Sequence, residues 1–204
     1  MSQTVITCTK ACKIQSGSQA DINLDASSLG VDVVPASTKN SPEFVRSLLD
    51  FDISAIPAGS TIQDTSKLEL YVLSIYTNGS GTAQTGYRIT QAAWTETGVT
   101  WNKYDGTNAW TTAGGDYSTP SVSYTGPTTT GWFSISGSSF AAFLQDALDN
   151  RAGIVRLILR LDAEDGSVRG FAASNDEDAT NPPKLTVDST TGGAPAAFVQ
   201  TFVA

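Results

Sequence analysis

Aromatic side chains that could stack against a sugar ring are concentrated in one part of the sequence. Between positions 94 and 132 the chain carries Trp94, Trp101, Tyr104, Trp110, Tyr117, Tyr124 and Trp132. An aromatic ring offers a flat apolar face, and tyrosine and tryptophan add a polar edge. We expect Tyr104, Trp110, Tyr117 and Trp132 to contact a glycan if one is bound. The alternative is that these rings fill the core of a small sandwich, since aromatic residues make up only 9% of the chain.

Trp94, Glu96 and Trp101 form a second group, in a stretch rich in threonine. Alternation along an extended chain would place both tryptophan rings near one face. Glu96 lies between them, where its carboxylate can accept hydrogen bonds from backbone N–H groups or pair with Arg88. We interpret the group as a loop fastened beneath a sandwich, which predicts that both tryptophans are buried. The alternative is an exposed ligand platform.

Two acidic segments contain oxygen ligands of the kind that calcium prefers. They are 162–166, with Asp162, Glu164 and Asp165, and 175–178, with Asp176 and Asp178. Calcium is coordinated by several carboxylate and carbonyl oxygens, and neither segment has the ligand spacing of an EF-hand. We therefore expect solvated turns and no cofactor, with calcium at these carboxylates as the alternative.

The absence of histidine excludes several classes of function. It removes the commonest general base, and with it Ser-His-Asp, Cys-His and His-metal chemistry. Nothing in the sequence marks an acidic residue as a buried member of an acid–base pair. The sequence therefore predicts no catalytic residues and a protein that is not an enzyme. A net charge of −8 and the lack of a long apolar run predict neither nucleic acid nor a membrane as a partner.

These side chains must be positioned mainly by β-strands. The 204 residues include 23 serines and 26 threonines, a composition that favours strands and turns over helices. Alternating or uniformly apolar segments predict strands at 4–14, 44–53, 68–76, 154–161 and 184–188. Only 138–150 has helical periodicity, with a serine at the expected N-cap. The sequence predicts an all-β, jelly-roll-type β-sandwich of two antiparallel sheets with one short α-helix at about 138–150.

Two of the predicted strands carry patterns that also predict their surroundings. In 44–53 apolar and polar positions alternate, so this strand is predicted to be half-buried, with one face toward solvent. In 4–14, Cys8 and Cys12 would point to one face, too far apart along the strand for a disulfide. We expect both cysteines to be reduced packing residues, because two thiols without a histidine also make a poor metal site.

Several segments of the chain resemble a known family. The most specific are LLDFDIS at 48–54, IPAGSTI at 56–62, LELYV at 68–72 and WTETGVTWN at 94–102. They resemble the DNRLRE domain family, a group of β-sandwich modules related to archaeal disaggregatase repeats and to some carbohydrate-binding modules. With later segments in the same order, the resemblance covers about residues 4–188. It implies a sandwich scaffold in which the motif positions are structural, namely Phe51, Asp52, Pro57, Gly59, Trp94, Glu96 and Trp101.

The chain divides at about residue 188. Residues 1–188 are predicted to form one β-sandwich domain, and 189–204 a flexible linker with an apolar, uncharged tail. Two apolar pairs recur four residues apart in that tail: Phe198, Val199, Phe202 and Val203. Contiguous apolar side chains of this kind usually mark an interaction site, so we expect the tail to contact another subunit. The alternative is that it folds back on its own sandwich.

Three functions fit these features, and the first is a non-enzymatic structural protein of a virion. The first twenty residues show no apolar segment after a basic start, and hence no secretory signal. A bacteriophage capsid decoration, fibre or tail component needs none, because it assembles in the host cytoplasm. Such a protein would bind other virion subunits or its own copies, and would contact glycans of the host surface. The second function is a secreted, extracellular carbohydrate-binding module, and the third is an accessory fragment of a hydrolase or lyase.

Overall fold

The computed structural model describes residues 1–25, 27, 29–34, 43–76, 80–164 and 170–191. Twelve strands and one α-helix lie within these residues. The strands are β1 Ser2–Thr7, β2 Lys10–Gln15, β3 Leu29–Val34, β4 Glu43–Asp52, β5 Ser60–Ile62, β6 Lys67–Ile75, β7 Ala83–Ile89, β8 Tyr117–Thr125, β9 Gly131–Ser136, β10 Ile154–Leu161, β11 Phe171–Ala173 and β12 Lys184–Thr191. The helix α1 is Ser138–Asn150. None of the described helical segments has the length and apolar character to cross a membrane.

The strands form two antiparallel sheets. In the first sheet, β6 lies between β9 and β12, β1 pairs with the far edge of β12, and the short strands β5 and β11 extend the ends. The second sheet runs β2, β4, β10, β7, β8. The strand β3 joins them, since its first half pairs with β11 and its second half with β4. The predicted all-β sandwich with one helix is confirmed.

The main core lies between the two sheets. Inward-facing apolar side chains of both sheets pack there, among them Leu49, Phe51, Leu70, Leu157 and Leu185. The helix adds its apolar stripe of Phe140, Phe143, Leu144 and Ala147 to the same core. Its N-cap is Gly137 rather than the expected serine, because the chain enters the helix at a φ of 103°, where a β-carbon would be strained.

A second core lies on the outer face of the second sheet. There the segment 90–116, which we call the Trp-rich loop, folds over β4 and buries Arg46, Leu48 and Asp50. The prediction that this strand is half-buried is therefore wrong. Alternation of polar and apolar residues normally indicates a solvated face, but here the polar positions find partners in the loop that covers them.

The predicted first strand, 4–14, is two strands that belong to different sheets. The strand β1 pairs with β12, from Ser2 opposite Ser189 to Thr7 opposite Lys184, whereas β2 pairs with β4. The chain crosses between the sheets at residues 8–9. Both cysteines are free, but Cys8 packs against the main core and Cys12 lies in the second core, so they do not share a face. Burial raises the pKa of both thiols, that of Cys12 to about 12.

The segment after β4 closes a tight turn. Phe51 is buried in the main core, and the neighbouring Asp52 carboxylate accepts the N–H of Ser54 at 2.9 Å. A backbone hydrogen bond to the Pro57 carbonyl closes the turn, and Gly59 within it has a φ of 76°. A β-carbon would be disfavoured at that φ, so the glycine fixes this connection between β4 and β5.

We expect Trp101→Ala to lower the free energy of unfolding by about 3–5 kcal/mol, the usual cost of truncating a large buried aromatic side chain. Trp101 is 9% exposed and packs in the second core. Trp132→Ala is the matched control, because this ring is 45% exposed and should cost about 1 kcal/mol or less. Urea denaturation of both variants measures the difference. Equal losses of stability would contradict the assignment of Trp101 to the core.

Candidate functional site

The Trp-rich loop is fastened to the second sheet by side-chain hydrogen bonds. The indole N–H of Trp94 donates to the Asp50 carboxylate of β4 at 3.0 Å, whereas that of Trp110 donates within the loop, to the Thr100 carbonyl at 3.0 Å. The Glu96 carboxylate accepts the N–H of Ala11 in β2. Trp94 is 1% exposed, so both tryptophans of the WTETGVTWN segment are buried, as the fastened-loop interpretation predicts.

Arg46 of β4 ties the end of this loop to the sheet. Its Nε and Nη2 donate to the Glu164 carboxylate at 2.8 and 2.7 Å, and Nη1 donates to the Gly114 carbonyl at 2.7 Å. The guanidinium also lies 4.7 Å from the Trp101 ring centre and 5.6 Å from that of Tyr117. Charge-assisted bonds and ring contacts of this kind favour one fixed geometry. Arg46 is therefore a rigid wall for the space beside it.

That space is a cavity of about 440 Å³ between β4, the loop and the start of β8. Its lining residues are Arg46, Thr90, Thr111, Thr112, Ala113, Gly115, Asp116 and Tyr117. The Asp116 carboxylate accepts the N–H groups of Thr111 and Thr112, both at 2.9 Å, and its carbonyl accepts the N–H of Thr90. The loop wall is therefore fixed before any ligand arrives.

The chemistry of the cavity suits a small polyhydroxylated molecule. Threonine hydroxyls both donate and accept hydrogen bonds, and the Tyr117 ring supplies an apolar face. Arg160 donates to the Tyr117 hydroxyl at 2.6 Å, and Tyr87 lies 5.0 Å from its ring centre, so the ring is held in place. The volume falls within the range of about 300–1,000 Å³ that is usual for small-molecule sites.

The four aromatic residues predicted to contact a glycan do not form one platform. Tyr117 lines the cavity, and Trp132 is exposed on β9, in the other sheet. Tyr104 is half-buried, edge-on to Trp110 at 5.8 Å. Trp110 itself is 5% exposed, so the expectation that its ring contacts a ligand is wrong. Its indole N–H lies toward the loop backbone, and a sequence pattern cannot separate such a ring from an exposed one.

The carboxylates considered for calcium are engaged with protein groups. Asp162 accepts the Thr85 hydroxyl at 2.7 Å, and Arg46 and Arg160 both pair with Glu164. Asp178 accepts two backbone N–H groups of its own turn. Asp176 lies beside Glu96, but its Oδ1 is buried without a hydrogen-bond partner. Asp165 lies outside the described residues. Across the residues that the structure describes, no group of three or more cysteine or acidic side chains is arranged to hold a metal ion. The expectation of no cofactor, with calcium as the alternative, stays a prediction.

The carboxyl groups of Asp50 on the sheet and Glu96 in the loop both have raised pKa values. Burial raises the pKa of Asp50 to about 6, although the Trp94 indole and the Lys10 and Arg156 cations act in the opposite direction. Burial also raises the pKa of Glu96 to about 7, against the hydrogen bond from Ala11. The sequence marks neither residue as buried, because the covering elements are distant along the chain.

We expect the protein to be more stable at about pH 5 than at about pH 8. Asp50 and Glu96 bind a proton more tightly in the folded chain than in the unfolded chain, where their pKa values are about 3.9 and 4.3. Their contribution to the free energy of unfolding is fully present below about pH 4 and is lost as the pH rises through about 6 to 7. Urea midpoints at the two pH values measure the change.

Amide variants identify the groups responsible for this pH dependence. Asp50→Asn and Glu96→Gln should each flatten the profile between about pH 5 and 8, because an amide does not titrate. Asp105→Asn is the control, since backbone hydrogen bonds lower the pKa of this exposed carboxyl and its titration lies below that range. Greater stability of the unmodified protein at pH 8 would overturn the assignment.

Comparison with protein families gives one result that covers the site and its scaffold. The family model for carbohydrate-binding module family 96 matches residues 3–189. Comparison with curated proteins gives no match. The relationship to carbohydrate-binding modules implied by the DNRLRE resemblance is supported, whereas membership of the DNRLRE family and a bacteriophage origin stay predictions. Because the match spans both sheets, the helix and the Trp-rich loop, the chain belongs to carbohydrate-binding module family 96.

Proposed function

We propose that this protein is a non-catalytic carbohydrate-binding module that holds part of a polysaccharide in the cavity of the Trp-rich loop. The observation that carries the proposal is the cavity itself, a preformed space lined by three threonines, a tyrosine ring and a carboxylate. Its occurrence in a chain of a carbohydrate-binding family supports sugar as the ligand.

The fixed walls of the cavity favour binding. A sugar loses translational and rotational freedom when it binds, and a site that must also order its own loops pays a further entropic cost. Here Arg46, Asp116 and the backbone of residues 111–112 are already held by hydrogen bonds. The exposed hydroxyls of Thr111 and Thr112 are therefore positioned to exchange water for sugar hydroxyls at a small entropic cost.

The arrangement of carboxylates favours binding over hydrolysis. Cleavage of a glycosidic bond usually needs two carboxyl groups that face each other across the scissile bond. Asp116 is the acidic residue that lines the cavity, and its carboxylate already accepts two backbone N–H groups. The cavity lining holds one carboxyl group where hydrolysis usually needs two, which supports a module without catalytic activity.

The proposal favours the second function considered from the sequence, a carbohydrate-binding module of an extracellular protein. The virion role depends on an assembly tail, and Phe198, Val199, Phe202 and Val203 lie outside the described residues. That role, and the docking of the tail on another subunit, stay predictions. Both can coexist with sugar binding, because a virion component that contacts host-surface glycans would need such a site.

We expect a native gel that contains a polysaccharide ligand of the protein to slow its migration. Ala113→Phe should weaken that binding. A panel of β-1,3-glucan, xylan, galactomannan, pectin and alginate tests neutral and acidic polymers. Ala113 is exposed and lines the cavity, so a phenylalanine there would occupy the sugar's space. We expect at least a tenfold loss of affinity, or about 1.4 kcal/mol.

Ala93→Phe is the matched control for this experiment. Ala93 is also exposed, lies in the same loop and does not line the cavity. The Ala93→Phe variant therefore adds the same apolar ring without filling the cavity, and its binding should match that of the unmodified protein. Equal retardation of the two variants would exclude the cavity as the binding site. Failure of the unmodified protein to be retarded by any polymer would count against the proposed function.

A further inference from the structure

We propose that the outer face of the first sheet is a second sugar-contacting surface, centred on Trp132, so that one module can bridge two polysaccharide chains. This inference rests on the proposed function, since it assumes that the module binds carbohydrate. We call the surface the Trp132 face and define it by Trp132 of β9, Tyr71 of β6 and Lys184 of β12, with the polar side chains between them.

The Trp132 ring differs from every other tryptophan of the chain. It is 45% exposed, whereas Trp94, Trp101 and Trp110 are 9% exposed or less. Exposure of a large aromatic ring has a cost in water, and surface rings of this kind are enriched at binding surfaces.

Two neighbours hold the ring in a defined orientation. Tyr71 lies directly opposite Trp132 across the strand pair and meets it edge-to-face, with ring centres 5.4 Å apart. The Lys184 ammonium lies 4.0 Å from the ring centre on one face. A ring held by such contacts has little freedom to lose when a ligand binds. The remaining exposed area is available to the C–H face of a sugar.

Hydrogen-bonding side chains lie at cross-strand positions next to the ring on the same face of the sheet. Ser134 and Glu69 lie opposite each other on the next pair of positions, and Glu69 lies opposite Lys184 on the other side. Lys67 and Thr186 both bond to Glu69, at 2.9 and 3.1 Å. By contrast, Lys184 has no ion-pair partner among the carboxylates that the structure describes, so its ammonium can donate to ligand hydroxyls.

The mixture of groups favours a sugar over a protein partner. Protein interfaces bury a contiguous apolar centre of substantial area, whereas on this face the polar side chains of Glu69, Lys184 and Thr186 separate the exposed apolar side chains of Trp132, Leu73 and Val5. An exposed ring flanked by hydrogen-bonding groups matches a sugar chain, which presents apolar faces and hydroxyl edges together.

The two surfaces lie on opposite sides of the sandwich. The Trp132 face is the outer side of the first sheet, and the cavity is on the outer side of the second sheet, with two sheets about 10 Å apart between them. One short segment of polysaccharide cannot reach both. The module would therefore bind two segments at once, and on a dense polymer the second contact would raise the apparent affinity.

Fluorescence isolates the contact at Trp132. Acrylamide should quench mainly this exposed tryptophan, and the polysaccharide that retards the protein most should protect it. We expect protection in the unmodified protein and in Ala113→Phe, whose cavity is filled, and loss of the quenchable signal in Trp132→Phe. Unchanged quenching on addition of the polymer, at a concentration that retards the protein in gels, would overturn the inference.

Bridging gives a second readout. The unmodified protein should make solutions of that polysaccharide turbid. For Trp132→Ala, the protein concentration at which turbidity appears should be about tenfold higher or more. Trp132→Tyr should restore much of the effect, because it keeps an aromatic ring. Ile22→Ala, which trims a similarly exposed apolar side chain that belongs neither to the Trp132 face nor to the cavity lining, is the control and should behave like the unmodified protein.

The two proposals fail in different ways. If Trp132→Ala still clouds the polymer as well as the unmodified protein, while Ala113→Phe abolishes retardation, the second surface is excluded and the cavity remains. If Trp132→Ala remains retarded in gels but no longer clouds the polymer, both proposals are supported. If no polysaccharide retards the unmodified protein, the proposed function fails and the second surface fails with it.

Discussion

Two buried charges on the outer face of β4 determine how everything outside the second sheet is arranged. Removing Arg46 and Asp50 from water costs free energy that only hydrogen bonds and opposite charges can offset. Trp94 near the start of the Trp-rich loop bonds to Asp50, and Gly114 near its end bonds to Arg46. Glu164 also pairs with Arg46, and Lys10 and Arg156 lie near Asp50, but the loop adds the indole and carbonyl hydrogen bonds that complete both sets of partners. The cavity lies beside Arg46, between that strand and the part of the loop at 111–116.

Regular elements follow from local patterns, and the sequence identifies them well. The helix at 138–150 and the strand at 154–161 have the predicted bounds, because one apolar periodicity decides each of them. The second core cannot be predicted from local patterns of this kind. Arg46 pairs with Glu164, which is 118 positions away, and an alternating strand shows nothing of the loop that covers its polar face. The split of 4–14 between two sheets is equally hidden, since each half alternates normally.

The same limit applies to the candidate sites: the sequence shows the residue types but not which of them lie together in space. Trp132 and Tyr117 can be selected from the sequence as aromatic residues, but their separation onto opposite sides of the sandwich depends on which sheet each strand joins. Most of the cavity lining consists of threonine, alanine and glycine, which are common throughout this chain and mark no site by their identity. Trp110 is the opposite case. Its residue type suggests a ligand contact, but its indole N–H bonds to the Thr100 carbonyl and its ring is buried in the second core.

The pairing of β1 with β12 has a mechanical consequence. Ser2 lies opposite Ser189, so the chain enters and leaves the sandwich at the same end of one antiparallel strand pair. A load transmitted along the chain from both sides would pull these strands apart across their hydrogen bonds, which would break one after another from that end. The sandwich would therefore yield gradually at its first strand under tension, while β4 and the Trp-rich loop belong to the other sheet, away from the β1–β12 pair.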